Sequence, residues 1–109
     1  MKKFRFRQFL VYQDGLVFNR EIKSLCKNCF PKTEQRSLTS QLYRALDSII
    51  LNIAEGSDRG TDKDFAHFLN LSHASLNEVA TCLDLARDAK YIDQAIHANQ
   101  LIKAEGLAN

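Results

Sequence analysis

Eight apolar residues, Leu38, Leu42, Ala45, Leu46, Ile49, Ile50, Ile53 and Ala54, recur at steps of mostly three or four through one stretch of this chain. A helix completes a turn in about 3.6 residues, so this spacing collects them on one wide face with a polar face behind it. A face of that width must be covered by other elements, and the flanking segments carry the same period. In residues 6–28 the apolar positions Phe9, Tyr12, Leu16, Ile22 and Leu25, continued by Cys29, predict a long amphipathic helix with Gly15 as its weak point. Pro31 disfavours helical backbone at Phe30 and ends it. A short polar connection, residues 32–36, leads into the second helix, for which Ser37 or Thr39 can supply the N-cap oxygen and Gly56 the left-handed closing residue.

After the loop at residues 57–60, Thr61-x-x-Asp64 has the form of a capping box and predicts the start of a third helix. Its inward face is expected to hold Phe65, Phe68, Leu69, Ser72, Leu76, Val79, Ala80, Leu83 and Ala86. Tyr91-Ile92 marks another break, and residues 93–104 read as a shorter fourth helix with Ile92, Ile96 and Ile102 inward. No segment alternates with period two, so no strands are expected. Helices joined by short loops pack antiparallel, and the expected fold is an all-α, up-down-up-down four-helix bundle. At 109 residues it forms one domain over 1–109.

Function classes narrow next. No apolar run exceeds four residues, far short of the ~20 a membrane span needs. Met1-Lys2-Lys3 leads into Phe4-Arg5-Phe6-Arg7 and not into an apolar signal region, so the expected location is the cytoplasm. Cys26, Cys29 and Cys82 are too few for a disulfide framework, and the single CxxC has no second ligand pair at zinc spacing. His67, His73 and His97 form no helical metal pair, no serine has a base at recognisable spacing, and no glycine-rich phosphate loop occurs. No enzyme activity, metal or cofactor is expected. Asn52 and Glu55 lie three apart on the second helix, immediately before Gly56, where hydrogen bonding to the loop or a neighbouring helix end is the expected role.

Charge is distributed unevenly. Residues 1–36 hold nine Lys/Arg against three Asp/Glu, whereas residues 37–109 hold six against ten. Lys2, Lys3, Arg5 and Arg7 alternate with Phe4 and Phe6, and Arg20, Lys23 and Lys27 fall at helical spacing as a basic stripe. Cations repeated over a surface are what phosphate binding requires. Leu10, Val17, Phe18, Leu51 and Leu71 fall off the inward faces assigned above, and are the expected contacts between subunits.

A more specific signal runs through residues 30–60. Phe30-Pro31-x-x-Glu34 is followed by Leu38-Thr39-Ser40-Gln41-Leu42, Arg44-Ala45, Ser48-Ile49 and Asn52-Ile53-Ala54-Glu55-Gly56-Ser57-x-Arg59. With Lys63-x-Phe65-x-x-Phe68-Leu69, Ser75-Leu76-x-Glu78 and Tyr91-Ile92, this pattern resembles the bacterial four-helix-bundle family of proteins encoded by intervening sequences within 23S ribosomal RNA genes. The resemblance covers nearly the whole chain. It implies an antiparallel bundle assembling into a homo-oligomeric ring, typically a homopentamer. It also implies kinship with the accessory variability determinant of diversity-generating retroelements, which binds nucleic acid and a reverse transcriptase. Tyr43 departs from the family pattern, where a second arginine is common beside Arg44.

The resulting expectation is a non-enzymatic oligomer that binds RNA or DNA, or a nucleic-acid enzyme such as a reverse transcriptase. Its candidate contacts are Lys2, Lys3, Arg5, Arg7, Arg20, Lys23, Lys27 and Arg44. The alternative is a protein–protein scaffold that recruits a partner without touching nucleic acid. Salt separates the two, because phosphate binding weakens steeply with ionic strength.

Overall fold

The computed structural model describes residues 3–108. Four α-helices make up almost all of it: α1 Leu10–Cys29, α2 Leu38–Ser57, α3 Asp62–Asp88 and α4 Gln94–Ala108. Two 3-10 turns, Arg5–Gln8 and Lys32–Glu34, precede α1 and α2, and no strand occurs among the described residues. Each helix packs on two others, α2 on α1 and α3, and α4 on α3 and α1, with the α2–α3 joint the most extensive. The core runs through all four, and Ile22, Leu42, Leu46, Ile53, Val79, Cys82 and Leu83 are fully enclosed. Enclosing an aliphatic side chain of this size stabilises by about 1.5–3 kcal/mol, which makes this face the main source of stability.

The second helix matches its expected stripe, and Thr61 caps α3 by accepting a hydrogen bond from the Asp64 amide at 3.1 Å. Other expectations need correction. The first helix begins at Leu10, not residue 6. Phe9 is extended, with no side-chain cap at this end, and its ring packs on Phe65 at 5.9 Å. The innermost line of α1 is Gly15, Phe18, Ile22 and Cys26, while Tyr12, Leu16 and Leu25 are only half-buried. Phe18, expected at a subunit contact, is a core residue at 5% exposure. The apolar face of α1 is wide enough for either register. Packing settles it by seating Gly15 against α2, where a Cβ would stand 2.7 Å from Ile50 Cδ1.

Gly56 does not close α2 in a left-handed conformation; it lies inside the helix, buried, where an added Cβ would meet Phe68 Cβ at 2.6 Å. The left-handed glycine is Gly60, at φ 81° in the loop that follows. Neither Ser37 nor Thr39 caps α2. The Glu34 carboxylate accepts from the Leu38 amide at 3.3 Å and from the Ser37 hydroxyl. It also accepts from the Tyr91 hydroxyl, tying the α1–α2 connection to the turn after α3. Three donors hold its carboxyl below the usual range, the Ser37 hydroxyl contributing most, then Tyr91 and the Leu38 amide.

Helix α4 departs furthest. It is longer than expected and starts where the Asp93 carboxylate accepts from the Ile96 amide at 2.8 Å. Its buried positions are His97, Gln100 and Ala104, whereas Ile102 is exposed. His97 Nε2 lies 2.7 Å from the Asp84 carboxylate of α3, and this polar pairing sets the rotation of the helix. Leu69 of α3 is likewise more exposed than its spacing suggests.

Candidate nucleic-acid interface

The expected cations do not gather in one place. Arg5 and Arg7 precede α1, and Lys27 sits in its last turn; a helix of this length spans about 30 Å. At the first end, Lys3 and Arg7 are exposed, while Arg5 donates to the Ser57 carbonyl at 3.2 Å and stands 5.6 Å over the Phe9 ring. Arg5 therefore clasps the end of α2, and Lys2 lies outside the described residues. At the other end, a groove of about 590 Å³ opens between the last turn of α1, the 3-10 turn and the first half of α2.

Lys27, Lys32 and Arg44 line that groove together with Gln35, Thr39 and Ser40. Three separate elements deliver the charge. Extended backbone at Phe30 and Pro31 ends α1, and the 3-10 turn that follows sets Lys32 on the lining of the same groove as Lys27. Arg44 comes from the outer face of α2, in the half of the chain that is acidic overall. Among the described residues none of the three cations forms an ion pair. The groove also contains Asp47, whose charge is already matched by Lys23 at 2.6 Å. Desolvation pushes the Asp47 carboxyl up, but hydrogen bonds from Lys23 and Asn19 and the Lys23 charge outweigh it and hold it below the ordinary value. Lys23, expected as a phosphate contact, is thus a partner of Asp47, and Arg20 lines a different groove with Lys103 and Gln100, between α1 and α4.

The groove also has apolar walls, from Cys26, Phe30, Pro31 and Tyr43. Burial pushes the Cys26 thiol up to about 12, with Cys29 and Cys82 adding to the effect, so Cys26 stays protonated at neutral pH and is a poor nucleophile. The Tyr43 hydroxyl donates to the Lys23 carbonyl at 3.2 Å, and the Lys23 ammonium stands 5.2 Å over the ring. No group of three or more His, Cys, Asp or Glu side chains able to hold a metal ion gathers among the described residues.

The motif residues of the second helix have structural partners. Asn52 donates to the Ser48 carbonyl and hydroxyl, Ser75 donates to the same hydroxyl, and Ser72 donates to the Ile49 carbonyl. This series joins α2 to α3. Glu55 pairs with Arg59, whose guanidinium stands 4.8 Å over Phe68. The buried Gly56 gives Phe68 room to approach. Of the expected subunit contacts, Leu10, Val17, Leu51 and Leu71 are exposed on three different helices.

Sequence reasoning missed Lys32, read there as part of a polar connection, and missed the cluster itself, since Lys27 and Arg44 are seventeen positions apart. The Pro31 turn is the signal from which their proximity could have been inferred. Residues 7–109 match the family described as 23S rRNA-intervening sequence protein. No curated protein matches the chain significantly.

Proposed function

The chain belongs to the 23S rRNA-intervening sequence protein family, and from that premise we propose that it is a non-enzymatic RNA-binding protein that works as an oligomer. The observation that carries the reading is the groove in which Lys27, Lys32 and Arg44 meet without ion-pair partners among the described residues. Unpaired cations around a concave surface meet the electrostatic requirement of a phosphate chain, and hydroxyls and amides from Thr39, Ser40 and Gln35 add neutral donors. The bundle follows an up-down-up-down course in this proposal, since short connections favour antiparallel neighbours. Copies assemble into a homo-oligomeric ring, of five subunits by family resemblance, with exposed Leu10, Val17, Leu51 and Leu71 supplying contacts. A ring repeats the groove and converts weak single contacts into avidity. Among the described residues no helix is long and apolar enough to cross a membrane, and the proposed location is the cytoplasm.

The second reading, a scaffold that recruits a protein such as a nucleic-acid enzyme, draws on the same exposed leucines. Fluorescence anisotropy of a labelled structured RNA, titrated across a salt series, decides between them. Binding should weaken steeply with salt, and Lys27→Glu with Arg44→Glu should lower affinity at least tenfold. For single-stranded contacts the double variant should also flatten the salt slope by about 1.4, at roughly 0.7 per phosphate lost. Absence of binding at low salt from folded protein would transfer the role to the scaffold.

A further inference from the structure

The groove holds more than cations. Its lining also includes Pro31, the half-buried Tyr43 ring and part of the largely buried Phe30 ring, and a charge-only phosphate site has no use for them. We infer that the groove takes single-stranded RNA, one splayed base lying against Pro31 and Tyr43 while flanking phosphates meet Lys27, Lys32 and Arg44. The inference rests on the nucleic-acid reading above and specifies which form of RNA it engages.

Three observations bear on this. First, the volume of about 590 Å³ lies within the range of about 300–1,000 Å³ typical of small-ligand sites. That is room for a nucleotide or two. Second, paired RNA keeps its bases stacked inside and offers mainly sugar and phosphate, which would leave the apolar wall uncovered. An unpaired base has a π-face to cover it, and stacking of this kind tolerates any base. Third, the Tyr43 ring is held in place before any ligand arrives. Its hydroxyl is anchored on the Lys23 carbonyl, and the Lys23 ammonium stands over the ring. Lys23 is in turn tied to Asp47, so Asp47 is neutralised and does not repel the phosphates. Ordering the ring in advance lowers the entropy lost on binding.

The test compares three fluorescein-labelled probes of roughly a dozen nucleotides, near the size such single-strand sites engage: oligo(U), an abasic strand of the same length, and a blunt duplex. Oligo(U) should bind about tenfold or more tightly than the other two at the same salt. Tyr43→Phe should keep that preference, and Tyr43→Leu should lose it while retaining the wild-type salt slope. Arg44→Ala should do the reverse, flattening the slope and keeping the preference for bases over the abasic strand. Equal binding of oligo(U) and the abasic strand would overturn the base contact and leave a phosphate-binding groove standing. Tighter binding of the duplex would overturn the single-strand assignment alone. If none of the three binds, or if a poly-glutamate peptide of matched charge competes equally with oligo(U), the nucleic-acid reading goes too. The probe comparison uses unmodified protein, so it decides the question even if Tyr43→Leu does not fold.

Discussion

Replacing glycine by alanine at two buried helical positions should have unequal effects, for a reason visible in the packing. In each helix the change gains about 1 kcal/mol of helix propensity. At Gly15 the new Cβ would stand 2.7 Å from Ile50 Cδ1, the far end of a flexible side chain. A rotamer adjustment relieves it at a cost of about 0.5–1.5 kcal/mol, so Gly15→Ala should fall within about 0.5 kcal/mol of the wild type. At Gly56 the obstacle is Phe68 Cβ at 2.6 Å, with Phe65 Cδ1 at 3.0 Å. A Cβ moves only with its backbone, so α2 and α3 must separate along their most extensive joint. Overpacking of that kind costs about 1–3 kcal/mol and adds to the loss of the contacts it displaces. The net expectation for Gly56→Ala is a loss of about 1–2 kcal/mol, after the propensity gain is subtracted. Urea unfolding followed by helical circular dichroism, at one fixed protein concentration because assembly shifts apparent stability, measures both. In thermal melts the same loss is a fall of about 4–8 °C per kcal/mol for a domain of this size. A Gly56→Ala protein as stable as Gly15→Ala would refute the close-approach account of Gly56.

Leu46→Asp or Ile49→Asp places a charge in the core and should abolish folding; a soluble helical product from either, seen by circular dichroism, would disprove the assignment of that stripe. Because Glu34 is held below the ordinary carboxyl value in the folded state, its contribution is present above the unfolded value of 4.5 and fades as pH falls through the lower folded one. Melts between neutral and acid pH should therefore show a loss in that window that Glu34→Gln largely lacks. Lys90 closes α3 at φ 65°, a conformation costing a non-glycine residue about 1–2 kcal/mol, so Lys90→Gly should raise the melting temperature. His97→Ala leaves Asp84 without its partner and a gap between α3 and α4, and should destabilise by about 2 kcal/mol or more in urea titration.

How far the sequence foretold the molecule depended on whether one period dominated a segment. In α2 every turn from Leu38 to Ile53 places an apolar residue on the same face, and Leu42, Leu46, Ile49 and Ile53 are buried as their spacing required. In α1 two registers were available, and the choice turned on a helix contact at Gly15 that no local pattern encodes. Phe18 moved from surface to core on that choice. In α4 the apolar pattern is weak, and a histidine pairing with a residue thirteen positions earlier decided which face turns inward. Hydrophobic spacing is silent on such a pairing, because a buried polar side chain is stabilised by its specific partner and not by its period. The capping of α2 failed for a related reason: a carboxylate three residues ahead of Ser37 took the Leu38 amide.

Charge followed a different rule from apolar burial. Counting along the chain placed the positive character in residues 1–36, and most of the cations named there are indeed exposed. Yet charge density along a sequence is not a field in space. The length of α1 separates Arg7 from Lys27, and at an ordinary ionic strength of ~0.15 M, exposed charges more than about 8 Å apart are largely screened from one another. What gathers cations in one place is the connection at Pro31, which sets Lys32 on the lining of the same groove as Lys27 and an arginine from the acidic half. Lys23, closer in sequence to Lys27 than Arg44 is, is occupied by Asp47 and serves instead to hold Tyr43. The residues able to meet a phosphate chain are therefore those left unpaired once the helices have docked, and that set is a property of the packing.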